Sequence, residues 1–392
     1  MDRDLLIHLD YCLTPRTRIN NAAIVISGGS FFALGGYSAF SNTHQYEVID
    51  MPGCYALPGF VDTHIYGAGG FDCMHIDEGN PADMSRTLAR HGVTSFVPTT
   101  QSERPERLLT VVNDLAKLCE SKRLPGASPV GIHIEGPFIS REKSGSHVDE
   151  FVRKVDLEEA KTLMDAGKGH VRIFACAPEL VQARELIAAI GERGIMPELG
   201  HTMADQDAVA AAIEAGARRC SHILNGMEPL KQRAVGLAAM TMTDERMWVE
   251  LIVDGVHVSP VMIDLICRCI PAAKLIVVSN AMMAAGLDED GEYQLGPDTI
   301  RVVDGQAMIK GGQTLAGATK LLDHNYRSLL RYSHLSQEEV AAACTFNPAR
   351  SIGLTDRGSI RPGKRADLVI LNAEHEVQMT IVKGKIVYRA DA

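Results

Sequence analysis

Glu135, His201 and His222 are the residues of this 392-residue chain whose types and placement could most directly do chemistry. Glu135 lies in Gly-Ile-His-Ile-Glu-Gly-Pro-Phe, His201 in Glu-Leu-Gly-His-Thr and His222 in Cys-Ser-His-Ile-Leu-Asn. Each closes a short apolar run of strand length and precedes a turn or a helix start. One carboxylate and two imidazoles delivered from three strand ends can hold one divalent cation and leave a position open for water. That is the donor set of a metal-dependent hydrolase. Taken singly, each has a plainer reading: a salt-bridged acid, or a hydrogen-bonded core histidine. Three of them at one barrel mouth favour the metal.

Other residues qualify this picture. His64 ends the first run in Asp62-Thr63-His64-Ile65-Tyr66. By the period-two rule, position 66 points to the same side as 64, but tyrosine is a poor ligand at neutral pH. His64 is therefore expected to hydrogen-bond near the site, and a two-metal centre lacks a member. The eighth run ends in Val278-Ser279-Asn280. A carboxylate there would take a proton from an activated water, whereas the amide of Asn280 has no titratable site near neutrality. After the sixth run, the turn at Asn225-Gly226 can present backbone N–H groups to an anion. Arg233 can grip a phosphate through two N–H groups, and His257, ending the seventh run, adds a donor. A solvated loop with a surface arginine is the plain alternative.

The elements that must position these residues are legible as a repeat. From residue 59, strand-like runs over 59–66, 93–99, 129–135, 171–178, 195–201, 219–224, 248–256 and 275–280 alternate with helical runs. The helical runs cover 81–91, 105–121, 157–166, 183–193, 205–215 and 259–269. Eight such repeats predict an α/β fold, a (β/α)8 TIM-type barrel. A β-like excursion over 300–309 and helices over 315–332 and 336–344 follow. Short strands before the barrel (5–9, 22–26, 31–34, 46–50) and after it (366–372, 376–381, 383–388) are too few on either side to bury a core alone. They are expected to pair into one small β-sandwich. The expected domains are residues 1–57 plus 359–392 for the sandwich and 58–358 for the barrel.

Composition excludes other classes. A net charge of -10 argues against nonspecific nucleic-acid or anionic-membrane binding. No apolar run approaches spanning length, and the first residues carry no secretory pattern. Nine scattered cysteines show no zinc-knuckle or redox spacing. Reduced thiols in a cytoplasmic protein are the expected state.

Several motifs carry a resemblance. They are Leu57-Pro58-Gly59-Phe60-Val61-Asp62, His133-Ile134-Glu135-Gly136-Pro137-Phe138, Ser144-Gly145-Ser146-His147 and Ala177-Pro178-Glu179. Further along come Gly200-His201-Thr202, His222-Ile223-Leu224-Asn225-Gly226-Met227, Asp254-Gly255-Val256-His257 and Leu315-Ala316-Gly317. Asn347-Pro348-Ala349-Arg350 and Gly363-Lys364-Arg365-Ala366-Asp367-Leu368 lie near the end. Over nearly its whole length the chain resembles the N-acetylglucosamine-6-phosphate deacetylases of the amidohydrolase superfamily. The resemblance implies one divalent ion, zinc or similar, on Glu135, His201 and His222, with His147 polarising the acetamide carbonyl. It implies that Asn225, Gly226, Arg233 and His257 bind the sugar phosphate, and that Ser146, Leu315, Ala316 and Gly317 line the sugar pocket. A homodimer is implied, in which the arginine and histidine reach across the interface. Asn280 stands where the family has its catalytic aspartate. The other chemical positions are intact, as expected if Asp→Asn was introduced to trap substrate; a natural variant is the alternative. Binding with slow turnover is the expectation. The competing readings are the galacto epimer as substrate, another cyclic-amide hydrolase or deaminase, and a non-catalytic sugar-phosphate-binding homologue.

Overall fold

The computed structural model describes residues 4–390 apart from 16, 41, 42, 122, 123 and 288. Eight parallel strands follow one another in sequence order around a barrel: Phe60–Ile65, Val93–Thr100, Ile132–Ile134, Val171–Cys176, Met196–Leu199, Arg219–Cys220, Trp248–Ile252 and Leu275–Val278. The ring closes through a parallel bridge between Ile65 and Ala281 and through Asn280 N–H donating to the His64 carbonyl at 3.0 Å. The strands are buried on both faces, as a barrel wrapped in helices requires. Most strands stop earlier than their apolar runs. Glu135, His201, His222 and Asn280 therefore stand one or two residues beyond strand ends, at the carboxyl face where barrel sites form.

Local chemistry explains the helix starts. Asn80 accepts from Ala82 N–H at 3.1 Å ahead of Pro81–Arg90, and Asp156 accepts from Glu158 and Glu159 N–H at 3.0 Å ahead of Leu157–Ala166. Ser336 and Glu339 form a reciprocal cap on Gln337–Cys344. Two short helices, Leu237–Thr243 and Phe346–Ser351, were not expected.

The helix expected over 315–332 begins only at Leu322. Its first residues are non-helical instead, because their backbone groups pair elsewhere. Ala318 N–H donates to the Asn280 carbonyl at 2.7 Å, and Met282 N–H donates to the Ala318 carbonyl at 2.9 Å. Gly317 is left-handed (φ 69°), and a Cβ there would stand 2.9 Å from the Met282 side chain. The β-like excursion is a three-stranded antiparallel sheet, Gly291–Leu295, Asp298–Val303 and Gln306–Ile309.

The two chain ends meet in one seven-stranded sheet. Its order is Lys385–Arg389, Val377–Val382, Leu368–Leu371, Tyr46–Pro58, Asp4–Leu13, Arg18–Ser27, Ser30–Gly36. The sheet folds over its own core, in which Ile24, Ile26 and Phe31 share a cluster with Leu368, Met379 and Ile381. The last hairpin turn packs on the second: a Cβ on Gly384 would stand 2.8 Å from Gly29 Cα. In place of the expected sandwich there is one continuous seven-stranded sheet folded over its own core.

Candidate active site

Glu135, His201 and His222 converge. Glu135 Oε1 lies 3.2 Å from His201 Nε2 and 3.1 Å from His222 Nε2, and the two nitrogens are 3.1 Å apart. The outer nitrogens show which atoms carry protons. His201 Nδ1 is 2.7 Å from the Lys143 carbonyl and His222 Nδ1 is 3.2 Å from the Asn225 carbonyl. A carbonyl only accepts, so both Nδ1 atoms bear hydrogen, and in the neutral rings both Nε2 atoms present lone pairs. Two lone pairs and a carboxylate oxygen thus face one point. That arrangement is repulsive alone and is the donor set a divalent ion takes, with an edge length close to that of a zinc tetrahedron.

His147 has the opposite tautomer. Ser102 N–H donates to its Nδ1 at 2.9 Å, which leaves the ring proton on Nε2, 3.3 Å from Glu135 Oε2. Burial holds this imidazole below its ordinary value, so it stays neutral and donates. Burial pushes the Glu135 carboxyl up, but the charge of His64 and the hydrogen bond from His147 prevail and hold it well below the usual range.

His64 and Tyr66 complete the wall. His64 Nδ1 is 2.9 Å from Glu250 Oε2, and its Nε2 is 3.0 Å from the Tyr66 hydroxyl, which donates to Glu135 Oε2. These three contacts need three protons, one from tyrosine and two from histidine. Accordingly, although burial lowers the His64 value, Glu135 and Glu250 raise it well above the ordinary one. The expected hydrogen-bonding role of His64 matches this geometry.

Deeper in the barrel lies a group that sequence reading missed. Arg219, wholly buried, bonds Glu198 Oε1 at 2.7 Å, Glu250, Thr63 Oγ1 at 2.6 Å and Ser351 Oγ at 2.7 Å. His133 Nε2 is 2.9 Å from Glu198 Oε2. Glu250 also accepts from the backbone N–H of His222 at 3.2 Å, so this network supports a candidate ligand directly. The available signal was a charged residue inside each apolar run: Glu198 in Met-Pro-Glu-Leu, Arg219 before Cys220, Glu250 in Trp-Val-Glu-Leu-Ile.

The remaining candidates divide. Asn225 and Gly226 border the histidines. Gly226 is left-handed (φ 57°), and a Cβ there would sit 2.9 Å from His201 Nδ1. Arg233 is exposed on the loop beyond. Ser146, beside His147 in sequence, accepts from Gln101 Nε2 at 3.2 Å. His257 is oriented by Asp254, whose Oδ2 lies 2.7 Å from its Nδ1, and it lines one cavity with Leu315, Gly317, Lys320 and His324. Ala316 is buried against Tyr66 and Met282 in an apolar cluster. Asn280 is 6 % exposed, its Oδ1 has no hydrogen-bond partner, and its backbone is left-handed (φ 54°), as is that of His201 (φ 46°). Such backbone costs about 1–3 kcal/mol and collects at functional sites.

Comparison with known proteins agrees with this geometry. The model of the amidohydrolase family matches residues 55–387. The N-acetylglucosamine-6-phosphate deacetylase of Bacillus subtilis (strain 168) is 33% identical over 335 residues, covering 85% of this chain and 84% of that one. The N-acetylgalactosamine-6-phosphate deacetylase of Escherichia coli O157:H7 is 31% identical over 330 residues, covering 84% and 86%. An aspartate-to-alanine mutant of the Mycobacterium smegmatis N-acetyl-D-glucosamine-6-phosphate deacetylase, solved in complex with N-acetyl-D-glucosamine-6-phosphate, superposes with a TM-score of 0.91 at 33% identity, covering 98% of this chain and 99% of that one. The chain therefore belongs to the amidohydrolase family, within its group of N-acetylglucosamine-6-phosphate deacetylases.

Proposed function

We propose that this chain hydrolyses the N-acetyl group of N-acetylglucosamine 6-phosphate to acetate and glucosamine 6-phosphate, slowly, because Asn280 replaces a carboxylate. The observation that carries this reading is the convergence of Glu135 Oε1, His201 Nε2 and His222 Nε2 beside the Nε2–H of His147. Glu135, His201 and His222 would hold one divalent ion, zinc by the nature of the donors, which would supply Lewis acidity and activate water at neutral pH. His147 donates its Nε2 proton to the acetamide oxygen as negative charge develops there. Asn280, beyond the end of the eighth strand, offers a buried acceptor oxygen but cannot remove a proton. Asn225, Gly226, Arg233 and His257 hold the phosphate; Ser146, Leu315, Ala316 and Gly317 enclose the sugar. The exposure of Arg233, and a His257 cavity that excludes Asn225 and Gly226, support completion of the phosphate site in a homodimer. The proposed location is the cytoplasm, and the proposed organisation is a terminal sheet (1–57 plus 359–392) on a barrel (58–358).

The test is acetate release by the zinc-loaded Asn280→Asp protein from N-acetylglucosamine, its 6-phosphate and N-acetylgalactosamine 6-phosphate. N-acetylglucosamine 6-phosphate is expected to exceed the unphosphorylated sugar in kcat/KM by at least about 10²-fold, the loss expected when a charged group loses its partner. No acetate from either phosphate would sink the proposal; preference for the galacto compound would favour the activity named for the Escherichia coli relative.

Asp254 offers a second check. Burial raises its carboxyl, but the hydrogen bond and charge of His257 prevail and hold it below the ordinary value. A carboxyl depressed in the folded state contributes stability above its unfolded pKa of about 3.9, and that contribution is lost as pH falls through the lower folded value. Asp254→Asn should therefore flatten the acid limb of the stability profile. It should also raise KM for the phosphorylated sugar with kcat unchanged, since His257 binds away from the reacting bond. An equal rise in KM for the unphosphorylated sugar would remove His257 from the phosphate site.

A further inference from the structure

Two sequence motifs that the active site leaves unused, residues 347–350 and 363–368, meet at the opposite face of the barrel. Asn347 Nδ2 donates at 2.8 Å to the carbonyl of Leu275, the first residue of the eighth strand. Arg357 donates at 2.9 Å to Ser95 Oγ near the start of the second strand. Between this segment and the terminal sheet lies a cleft of about 520 Å³, a volume that suits a small ligand. Ile19 and Leu34 of the sheet, with Phe346 and Leu354 of the segment after the barrel, give it an apolar floor. Its charged lining has one sign: Arg350, Arg357, Arg361 and Lys364, with no acidic lining residue among the described residues.

Two of these cations are engaged. Asp356 holds Arg357 at 2.9 and 3.0 Å, and the Thr355 carbonyl accepts from Lys364 Nζ. Arg350 and Arg361 are exposed and have no carboxylate partner among the described residues. The Arg350 guanidinium stands 5.9 Å from the centre of the Phe346 ring. The wall that carries Arg361 is fixed to the terminal sheet: Gly363 N–H donates to the Phe31 carbonyl at 2.8 Å, and Phe31 N–H to the Lys364 carbonyl at 2.9 Å. In a chain of net charge -10 the cleft is a local reversal of sign, which concentrates small anions.

We propose that this cleft binds a small anion of nucleotide type, with its phosphates on Arg350 and Arg361 and its flat ring on Phe346 and Leu354. A guanidinium fork matches phosphate oxygens and also stacks on planar rings. The acidic chain as a whole would repel a nucleic-acid polymer. The cleft lies away from the barrel mouth, so its occupancy does not depend on the reaction catalysed there.

Isothermal titration calorimetry of the metal-loaded chain with ADP, adenosine and pyrophosphate tests this. The expected result is one ADP per chain, bound at least about 10-fold more tightly than adenosine or pyrophosphate, because each fragment keeps only the stacking or only the charge-assisted hydrogen bonds. Arg350→Glu and Arg361→Glu should each weaken ADP binding by at least about 10-fold. Arg233→Glu, the same change of charge on the loop beyond the barrel mouth, should leave it unchanged. Thermal unfolding reports whether the variants fold, and Arg350→Gln and Arg361→Gln should shift ADP binding in the same direction if a charge reversal disturbs the fold. No saturable ADP binding, or pyrophosphate bound as tightly as ADP, overturns the proposal. Equal weakening by Arg233→Glu also overturns it, by placing the anion at the active-site mouth.

Discussion

Changing Asn280 to aspartate is expected to raise kcat for acetate release from N-acetylglucosamine 6-phosphate by about 10²–10⁴-fold, the usual contribution of a general base. The position is already built for the task. Its backbone is pinned by N–H donation to the His64 carbonyl at 3.0 Å and by acceptance from Ala318 N–H at 2.7 Å, and its Oδ1 is a buried acceptor without a partner. An amide at that place can accept a hydrogen bond from water but cannot keep the proton or return it to the leaving amine. Aspartate differs by one atom and needs no new space. KM should change little, because the substitution acts on the transition state and leaves sugar and phosphate contacts alone. The restored chain should also acquire an acid limb in its pH–rate profile, rising as the new carboxyl ionises; the asparagine chain has no such group at this position. A kcat that stays where it was would assign the base to another residue.

Arg219→Met should destabilise the fold by about 3–5 kcal/mol, as removing one partner of a buried ion pair generally does. The guanidinium is wholly buried and is the cation between Glu198 and Glu250. Without it, two carboxylates remain inside the barrel with only His133 and His64 to answer them. The effect should reach the site as well, because Glu250 holds both the backbone of His222 and the ring of His64. Urea unfolding gives the stability change, and zinc affinity gives the transmitted effect. If Glu250→Gln in the same chain restores no stability to Arg219→Met, the loss comes from packing rather than from stranded charge.

The barrel was legible because its repeat is regular: apolar runs and amphipathic helices alternate, and the candidate ligands stand where runs end. The union of the two termini was legible by elimination, since neither had strands enough to stand alone, but they form one sheet and not a sandwich. What failed was local. Residues 315–321 have a helix-compatible composition, but the Gln306–Ile309 strand and the end of the eighth barrel strand claim their backbone hydrogen bonds, and only tertiary contacts reveal that claim. The Arg219 network escaped because its charges lie in the interior of strands that otherwise read as apolar, and what pays for burying them comes from strands distant in sequence. Tyr66 was noted as a missing ligand. Its grip on Glu135 depends on two side chains meeting across the barrel, which spacing within one strand does not encode.

The strand Tyr46–Pro58 has its neighbours at opposite ends of the chain. Asp4–Leu13 emerges before it, while Leu368–Leu371, which pairs with Tyr55 through Pro58, emerges only after the whole barrel has been synthesised. During translation those four residues form a bare sheet edge, and such edges invite pairing with foreign strands. Pairings so remote in sequence are also slow to form. Leu368–Leu371 therefore acts as a latch on strands made long before it, and the growing chain carries that bare edge until those residues emerge.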